Sequence, residues 1–228
     1  MKLSILMPVY NEVATLEAAV GRVLEVDFPC PIELVLVDDG STDGTDAVIA
    51  GLSGPLVTHR HPVNRGKGAA VRSAAGLASG DYVIVCDADL EYLPSDIPAL
   101  LRPILQGEAE VVFGTRSFGS HTAYSFWYVV GNKAVTMAAN VLFNAWLSDL
   151  ETCFKVMPLS LYRDLDLREE GFGVEPEITA KLLKRQIRPF EAPVNYRARG
   201  REEGKKLTWR DGIQALWVLA RIRFLERP

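Results

Sequence analysis

Apolar residues follow two rhythms along the first half of the chain. Short runs at Leu3–Val9, Glu33–Val37, Leu56–Thr58, Tyr82–Cys86 and Val111–Gly114 have the length and composition of buried strands. Between them, Glu12–Glu25, Asp43–Leu52, Lys67–Ala78 and Ser95–Leu105 repeat apolar positions at helical spacing. This alternation predicts an α/β chain, a mostly parallel central sheet with helices on both faces. Thr42 and Ser95, each followed by Asp, read as N-caps. Pro8 donates no ladder hydrogen bond and marks the end of the first strand.

The second half breaks the rhythm. Tyr124–Leu147 is apolar with Lys133 its only charge. About 20 apolar residues cross a bilayer, yet Gly131, Asn132, Lys133, Asn140 and Asn144 interrupt this stretch with groups costly in hydrocarbon. A helix or helix pair, half packed and half interfacial, fits better. A short strand at Cys153–Met157, a helix at Glu175–Arg185 and a strand at Ile187–Val194 follow. The closing helix, from Thr208 to about Leu225, puts Ile213, Leu216, Trp217, Ala220 and Phe224 on one stripe. The opening residues read as a strand, not a signal peptide. No repeat or linker breaks the chain, so 1–228 is expected to be one domain.

Composition narrows the class. With 228 residues, 48% hydrophobic and 24% charged, the chain is neither disordered nor fibrous. Its three cysteines include no CxxC pair, which argues against a disulfide framework or thiolate zinc and for a reducing compartment. The net charge of −4 hides an asymmetry: residues 1–180 hold 12 Lys and Arg against 24 Asp and Glu, and residues 181–228 hold 13 against 5. A basic end suits an anion such as a phosphate ligand or a membrane surface, although a solvated helical face accounts for it equally. The acidic body argues against nucleic acid.

Candidate chemistry gathers where strands end. Asp87-Ala88-Asp89 follows an apolar strand, with Glu91 two residues further on. Carboxylates there suit Mg²⁺ or Mn²⁺ on a diphosphate, and a solvated acidic turn is the plain alternative. Val37-Asp38-Asp39-Gly40-Ser41 ends another strand in two acids of the kind that bond a ribose or a base edge. In Pro8-Val9-Tyr10-Asn11-Glu12, Tyr10 can stack on a base. Asn64-Arg65-Gly66-Lys67-Gly68 brings backbone and a cation close to an anion. The absence of GxGxxG and GxxxxGK[ST] disfavours nicotinamide, flavin and phosphate-loop chemistry. His59, His61 and His121 lack ligand spacing and read as surface or loop residues, and Cys86 and Cys153 as inert core.

In this order, the four segments resemble family-two glycosyltransferases of the GT-A fold. Gly114-Thr115-Arg116, Gly131-Asn132-Lys133, the run Ser148 to Lys155, Glu175-Pro176-Glu177 and Tyr196-x-x-Arg199 resemble the polyprenyl-phosphate hexose synthase branch. The resemblance implies a nucleotide-binding half (1–115), an acceptor half (116–207) and a C-terminal amphipathic helix (208–228). It implies that Pro8, Tyr10, Glu12, Val37, Asp39, Lys67, Asp87 and Ala88 hold the nucleotide sugar, and that Asp87, Asp89 and Glu91 hold the metal. Asp149, with Glu151 beside it, stands where the family has its candidate base. Arg116, Arg199, Lys205 and Lys206 are expected at the acceptor phosphate and the membrane surface.

The expected reaction is inverting transfer of glucose or mannose from a UDP or GDP sugar to a polyprenyl phosphate, by an enzyme peripheral on the cytoplasmic face of the membrane. A soluble or protein hydroxyl acceptor, or a non-catalytic nucleotide-sugar-binding protein, would show the same donor motifs. The apolar surfaces Phe126–Val130 and Val135–Leu147 fit lipid, plain core or a face between two copies. The missing Gln-x-x-Arg-Trp motif argues against polymer synthesis.

Overall fold

The computed structural model describes residues 1–117, 119, 126–198 and 208–226. Its elements run β1 (Leu3–Val9), α1 (Leu16–Leu24), β2 (Ile32–Asp38), α2 (Thr45–Gly51), β3 (Leu56–Arg60), α3 (Lys67–Leu77) and β4 (Tyr82–Val85). A single 3₁₀ turn at Pro94–Asp96 leads into α4 (Ile97–Leu105) and β5 (Val112–Thr115). The rest comprises α5 (Phe126–Phe143), β6 (Lys155–Pro158), α6 (Leu159–Asp164), α7 (Val174–Lys184), β7 (Phe190–Pro193) and α8 (Trp209–Phe224). The seven strands form one sheet in the order β3-β2-β1-β4-β6-β5-β7. Among the described strands only β6 runs against its neighbours, antiparallel to both β4 and β5.

The apolar runs of β1 and β2 are almost wholly buried because helices cover both faces of a parallel sheet. Pro8 lies within β1, opposite Val37 of β2. The β1–β4 pairing stops at Leu6, so no partner on that side meets the missing N–H. Helix α2 begins later than expected: Gly44 takes a left-handed turn (φ 94°), and Asp43, not Thr42, accepts the Thr45 N–H at 3.0 Å. Ser95 falls inside the 3₁₀ turn and caps nothing.

A second, smaller core joins α5, α7 and α8 through Val135, Ala139, Ala180, Ala215, Val218, Leu219 and Ile222. The polar residues inside α5, Asn132, Lys133 and Asn140, have partners. Asn140 exchanges two hydrogen bonds with the Leu147 backbone (2.8 and 2.9 Å), tying down the segment after the helix. Asn144 ends the helix with a left-handed turn (φ 51°). Among the described residues, no helix is long and apolar enough to cross a membrane.

Candidate active site

The carboxyl ends of β1, β2 and β4 open into one cleft of about 360 Å³. Ligands bind at this edge of open α/β sheets, where loops diverge and helix N-termini point inward. Pro8, Tyr10, Glu12, Asp39, Lys67, Asp87, Ala88, Asp89 and Glu91 line it, as the sequence predicts. Val37 does not. It is wholly buried inside β2, packed in the core before the strand ends at Asp38, whereas Asp39 lies just past that end at the opening.

Glycine shapes two of the walls. Gly40 (φ 73°) lies so close to the next turn that a Cβ would come within 2.6 Å of Val63. Gly66 (φ 92°) leaves no room for a Cβ against the Glu170 carbonyl, 2.3 Å from where it would sit. The glycine-rich loop is thereby pressed onto the segment carrying Gly171 and Phe172, which also line the cleft.

The charged groups form one connected array. Lys67 Nζ sits 2.8 Å from Asp87 Oδ2 and 2.7 Å from Glu175 Oε1. Burial alone would lower the Lys67 pKa, but the two carboxylates hold it well above its ordinary value. Asp89 Oδ1 accepts the Glu91 N–H at 3.0 Å, which fixes the bend after β4. Glu91, expected at the metal, lines the cleft and accepts the hydroxyl of Tyr196, whose ring packs edge-on against Tyr92. Among the described residues, no group of three or more acids, histidines or cysteines is placed to hold a metal by itself.

On the other wall, Arg116 grips Asp149 at two points, Nε to Oδ2 at 2.6 Å and Nη2 to Oδ1 at 2.7 Å. Asn132 of α5 adds a bond to Oδ1 at 3.2 Å. Burial would raise the Asp149 pKa, but Arg116 and then Asn132 bring it down to about 2. A carboxylate so tightly paired is a weak base. Arg116 itself faces the cleft with its guanidinium 5.0 Å over the Tyr196 ring.

Glu151 has the opposite character. Burial and the nearby Glu175 raise its pKa to about 7, against the pull of Lys155 and Arg116. Lys155, whose ammonium is satisfied by the Leu150 and Thr152 carbonyls, is lowered by burial to about 8. Two acids two residues apart, Asp149 and Glu151, are thus driven apart in acidity, the pattern that separates structural from proton-transferring carboxylates.

Some features of the site lie beyond motif reading. Asn64, Tyr92, Phe172 and Cys153 line the cleft. Burial pushes the Cys153 thiol well up, so it is inert but not simply core. His61 is 2% exposed, not a surface residue. Asn64 opens the glycine-rich segment and Glu175 its own motif, whereas Phe172 carries no sequence signal. Arg199, Lys205, Lys206 and His121 lie outside the described residues.

This chain belongs to glycosyl transferase family 2, whose model matches residues 4–165. It is 28% identical over 211 residues to a dolichol-phosphate mannosyltransferase of Pyrococcus furiosus, covering 90% of this chain and 59% of that protein. It is 27% identical over 196 residues to the glycosyltransferase AglJ of Haloferax volcanii, covering 84% and 62%. A low-salt glycan biosynthesis hexosyltransferase, Agl6, from the same organism is 30% identical over 205 residues, covering 86% and 48%. The chain therefore spans about half to three-fifths of the length of these relatives. Its fold matches glucosyl-3-phosphoglycerate synthase from Mycobacterium tuberculosis bound to UDP, with a TM-score of 0.72 at 22% identity, over 99% of this chain and 81% of that one. The expected GT-A architecture is borne out.

Proposed function

We propose that this chain carries the catalytic unit of a transferase moving glucose or mannose from a UDP or GDP sugar to a polyprenyl phosphate, with inversion at the anomeric carbon. One observation carries the reading: a single cleft sets Asp87 and Asp89 at the end of β4 against Arg116 and Glu151 from the second half. The name of the Pyrococcus relative supports a lipid-phosphate acceptor. The Mycobacterium neighbour's complex with Mn²⁺ and UDP supports the metal and the nucleotide.

Asp87 and Asp89 would hold Mg²⁺ or Mn²⁺. The donor set fits, because such ions bind through one or two carboxylates together with substrate phosphates and need no all-protein cage. When bound, the ion offsets negative charge on the departing diphosphate. Lys67, braced between Asp87 and Glu175, keeps a fixed positive charge beside that position. Arg116 offers the acceptor phosphate a planar guanidinium that Asp149 holds in place. A monoalkyl phosphate has its second pKa near ~6 and is largely dianionic at neutral pH. Glu151 therefore has only a residual proton to take.

Glu151, raised to about 7, is neutral below that pH and ionised above it, so turnover should climb through this range to a plateau. Glu151→Gln should remove that limb and leave one near the phosphate's own ~6. Its plateau should fall by no more than about 10²-fold, the lower end of general-base contributions. A pH–rate series for both proteins checks this, and an unchanged profile in the variant removes Glu151 from the proton path. The reading itself is tested by incubating labelled UDP- and GDP-hexoses with Mg²⁺ and polyprenyl phosphate. Label should move to the organic phase, and no transfer from any donor would end the proposal.

The membrane is the second partner. On α8, Ala215, Val218, Leu219 and Ile222 face α5 and α7, while Trp209, Ile213, Trp217 and Phe224 lie exposed on the opposite face. Exposed Arg210 and Arg223 flank the aromatic stripe, an arrangement that lies in a lipid interface with its cations reaching headgroups. Trp209→Ser with Trp217→Ser should weaken co-sedimentation with anionic vesicles at least about tenfold while nucleotide binding persists. Unchanged sedimentation, or a shift from dimer to monomer, assigns the face to another use. The three free cysteines accord with the cytoplasmic leaflet.

A further inference from the structure

His61 follows β3, where its backbone N–H reaches the Asp38 carbonyl at 2.8 Å and extends the ladder of β2. Its ring is 2% exposed and both nitrogens are engaged. Nδ1 lies 2.7 Å from Asp39 Oδ1, and Nε2 lies 2.9 Å from Ser73 Oγ on α3. A carboxylate oxygen can only accept from the ring, so the tautomer that suits both contacts has Nδ1 donating to Asp39 and Nε2 accepting from the serine hydroxyl. The order Asp–His–Ser is that of a hydrolase triad. Here Ser73 does not line the cleft, so the array presents no nucleophile to it.

The end of the array that meets the cleft is the carboxylate. Asp39 is 2% exposed yet forms part of the cleft wall. Its Oδ1 takes the Arg65 N–H at 3.0 Å besides His61, and its Oδ2 takes the Gly66 N–H at 2.7 Å. A carboxylate accepts about four hydrogen bonds. Protein donors fill both positions on Oδ1 and one on Oδ2, which leaves one acceptor position on Oδ2. The two backbone donors belong to the glycine-rich loop and shift if that loop shifts. His61 is the donor that comes from the sheet, and Ser73 anchors it to α3.

We propose that His61, backed by Ser73, is a positioning residue for the nucleoside of the donor. It fixes the rotamer of Asp39 so that the remaining Oδ2 position meets an N–H or O–H of the bound nucleoside. This inference rests on the reading that the cleft takes a nucleoside diphosphate sugar. It assigns to a histidine that touches no substrate a role in nucleotide affinity and none in the transfer step.

Two substitutions split the ring's functions. His61→Asn puts an amide N–H near the place of Nδ1 and keeps the Asp39 bond. His61→Gln reaches toward Ser73 and gives the Asp39 bond up. His61→Gln should raise the Kd for UDP or GDP, and the KM for the sugar nucleotide, by about 10- to 100-fold, as loss of an outer-shell partner does elsewhere. Its kcat at saturating donor should stay within about threefold. His61→Asn should recover most of the affinity. Ser73→Ala, a milder change at a half-buried site, should cost about two- to tenfold.

Magnesium pyrophosphate, which has no nucleoside, supplies the control and should bind all four proteins alike in calorimetry. Equal affinity of the Gln and Asn variants for nucleotide would overturn the inference, as would parallel loss of nucleotide and pyrophosphate binding. A wild-type chain that bound pyrophosphate but neither nucleotide would overturn both this inference and the donor reading. A wild-type chain that transfers to no lipid phosphate, with nucleotide affinities of the variants in the expected order, would count against the acceptor alone. Loss of kcat in His61→Gln beside an active wild type would overturn the inference.

Discussion

Asp89→Asn is expected to lower sugar transfer by about 10³-fold, the scale on which single preorganised electrostatic groups act on a transition state. The side chain keeps its shape and loses its charge. Its Oδ1 already orders the turn by accepting the Glu91 N–H, so an amide oxygen can preserve the backbone while failing the metal. The loss should therefore fall on kcat more than on the KM for donor, because charge on the departing diphosphate develops during the reaction. Asp87→Asn should be as harmful for an added reason, since it removes one of the two carboxylates that brace Lys67. Steady-state rates across a Mn²⁺ titration check both. Turnover within tenfold of wild type in Asp89→Asn would remove the metal from its assigned corner.

Arg116→Ala should be the most destabilising change at the site. Asp149 is 2% exposed, and the guanidinium supplies two of its hydrogen bonds together with its compensating charge. Removing one member of a buried ion pair costs about 3–5 kcal/mol, which for a chain of this size lowers Tm by roughly 10 °C. Asp149→Asn should cost less, because the Arg116 side chain is 17% exposed and water can reach it. The Asp149 pKa is held at about 2, below its ordinary 3.8, so the pair's contribution is complete above about pH 4 and disappears only as pH falls toward 2. The Tm difference between wild type and Arg116→Ala should accordingly stay constant from pH 5 to 8. Calorimetry on the single variants and on Arg116→Ala with Asp149→Ala tests the account. A double variant no more stable than Arg116→Ala would show that the loss has another source.

What could be read from the sequence was local. The runs of β1, β2 and β4 announce themselves because burial on both faces demands unbroken apolar residues, whereas edge strand β3 is half-exposed and carries only the short run Leu56–Thr58. The helix starts were less legible: Gly44 and Asp43 took the role expected of Thr42 through a left-handed turn that propensity does not foresee. The short α6 was missed because six residues give too little periodicity. At the site, Asp39, Asp87 and Asp89 sat where strand ends put them. The roles of Asp149 and Glu151 depended on partners 33 residues back and 24 residues ahead, Arg116 and Glu175, so no spacing rule could rank their acidity. His61 was misread for the same reason, since its two partners come from β2's end and from α3.

The single reversed strand has a consequence for how the molecule can move. Because β6 enters the sheet where β4 and β5 leave it, the chain just ahead of it delivers Asp149 and Glu151 to the same rim as Asp87 and Asp89. The acids after β4 and the acids before β6 are then riveted to one continuous plate. No hinge between them can open without unzipping ladder bonds. Substrate capture has to be an affair of the rim, with the plate beneath acting as an anvil.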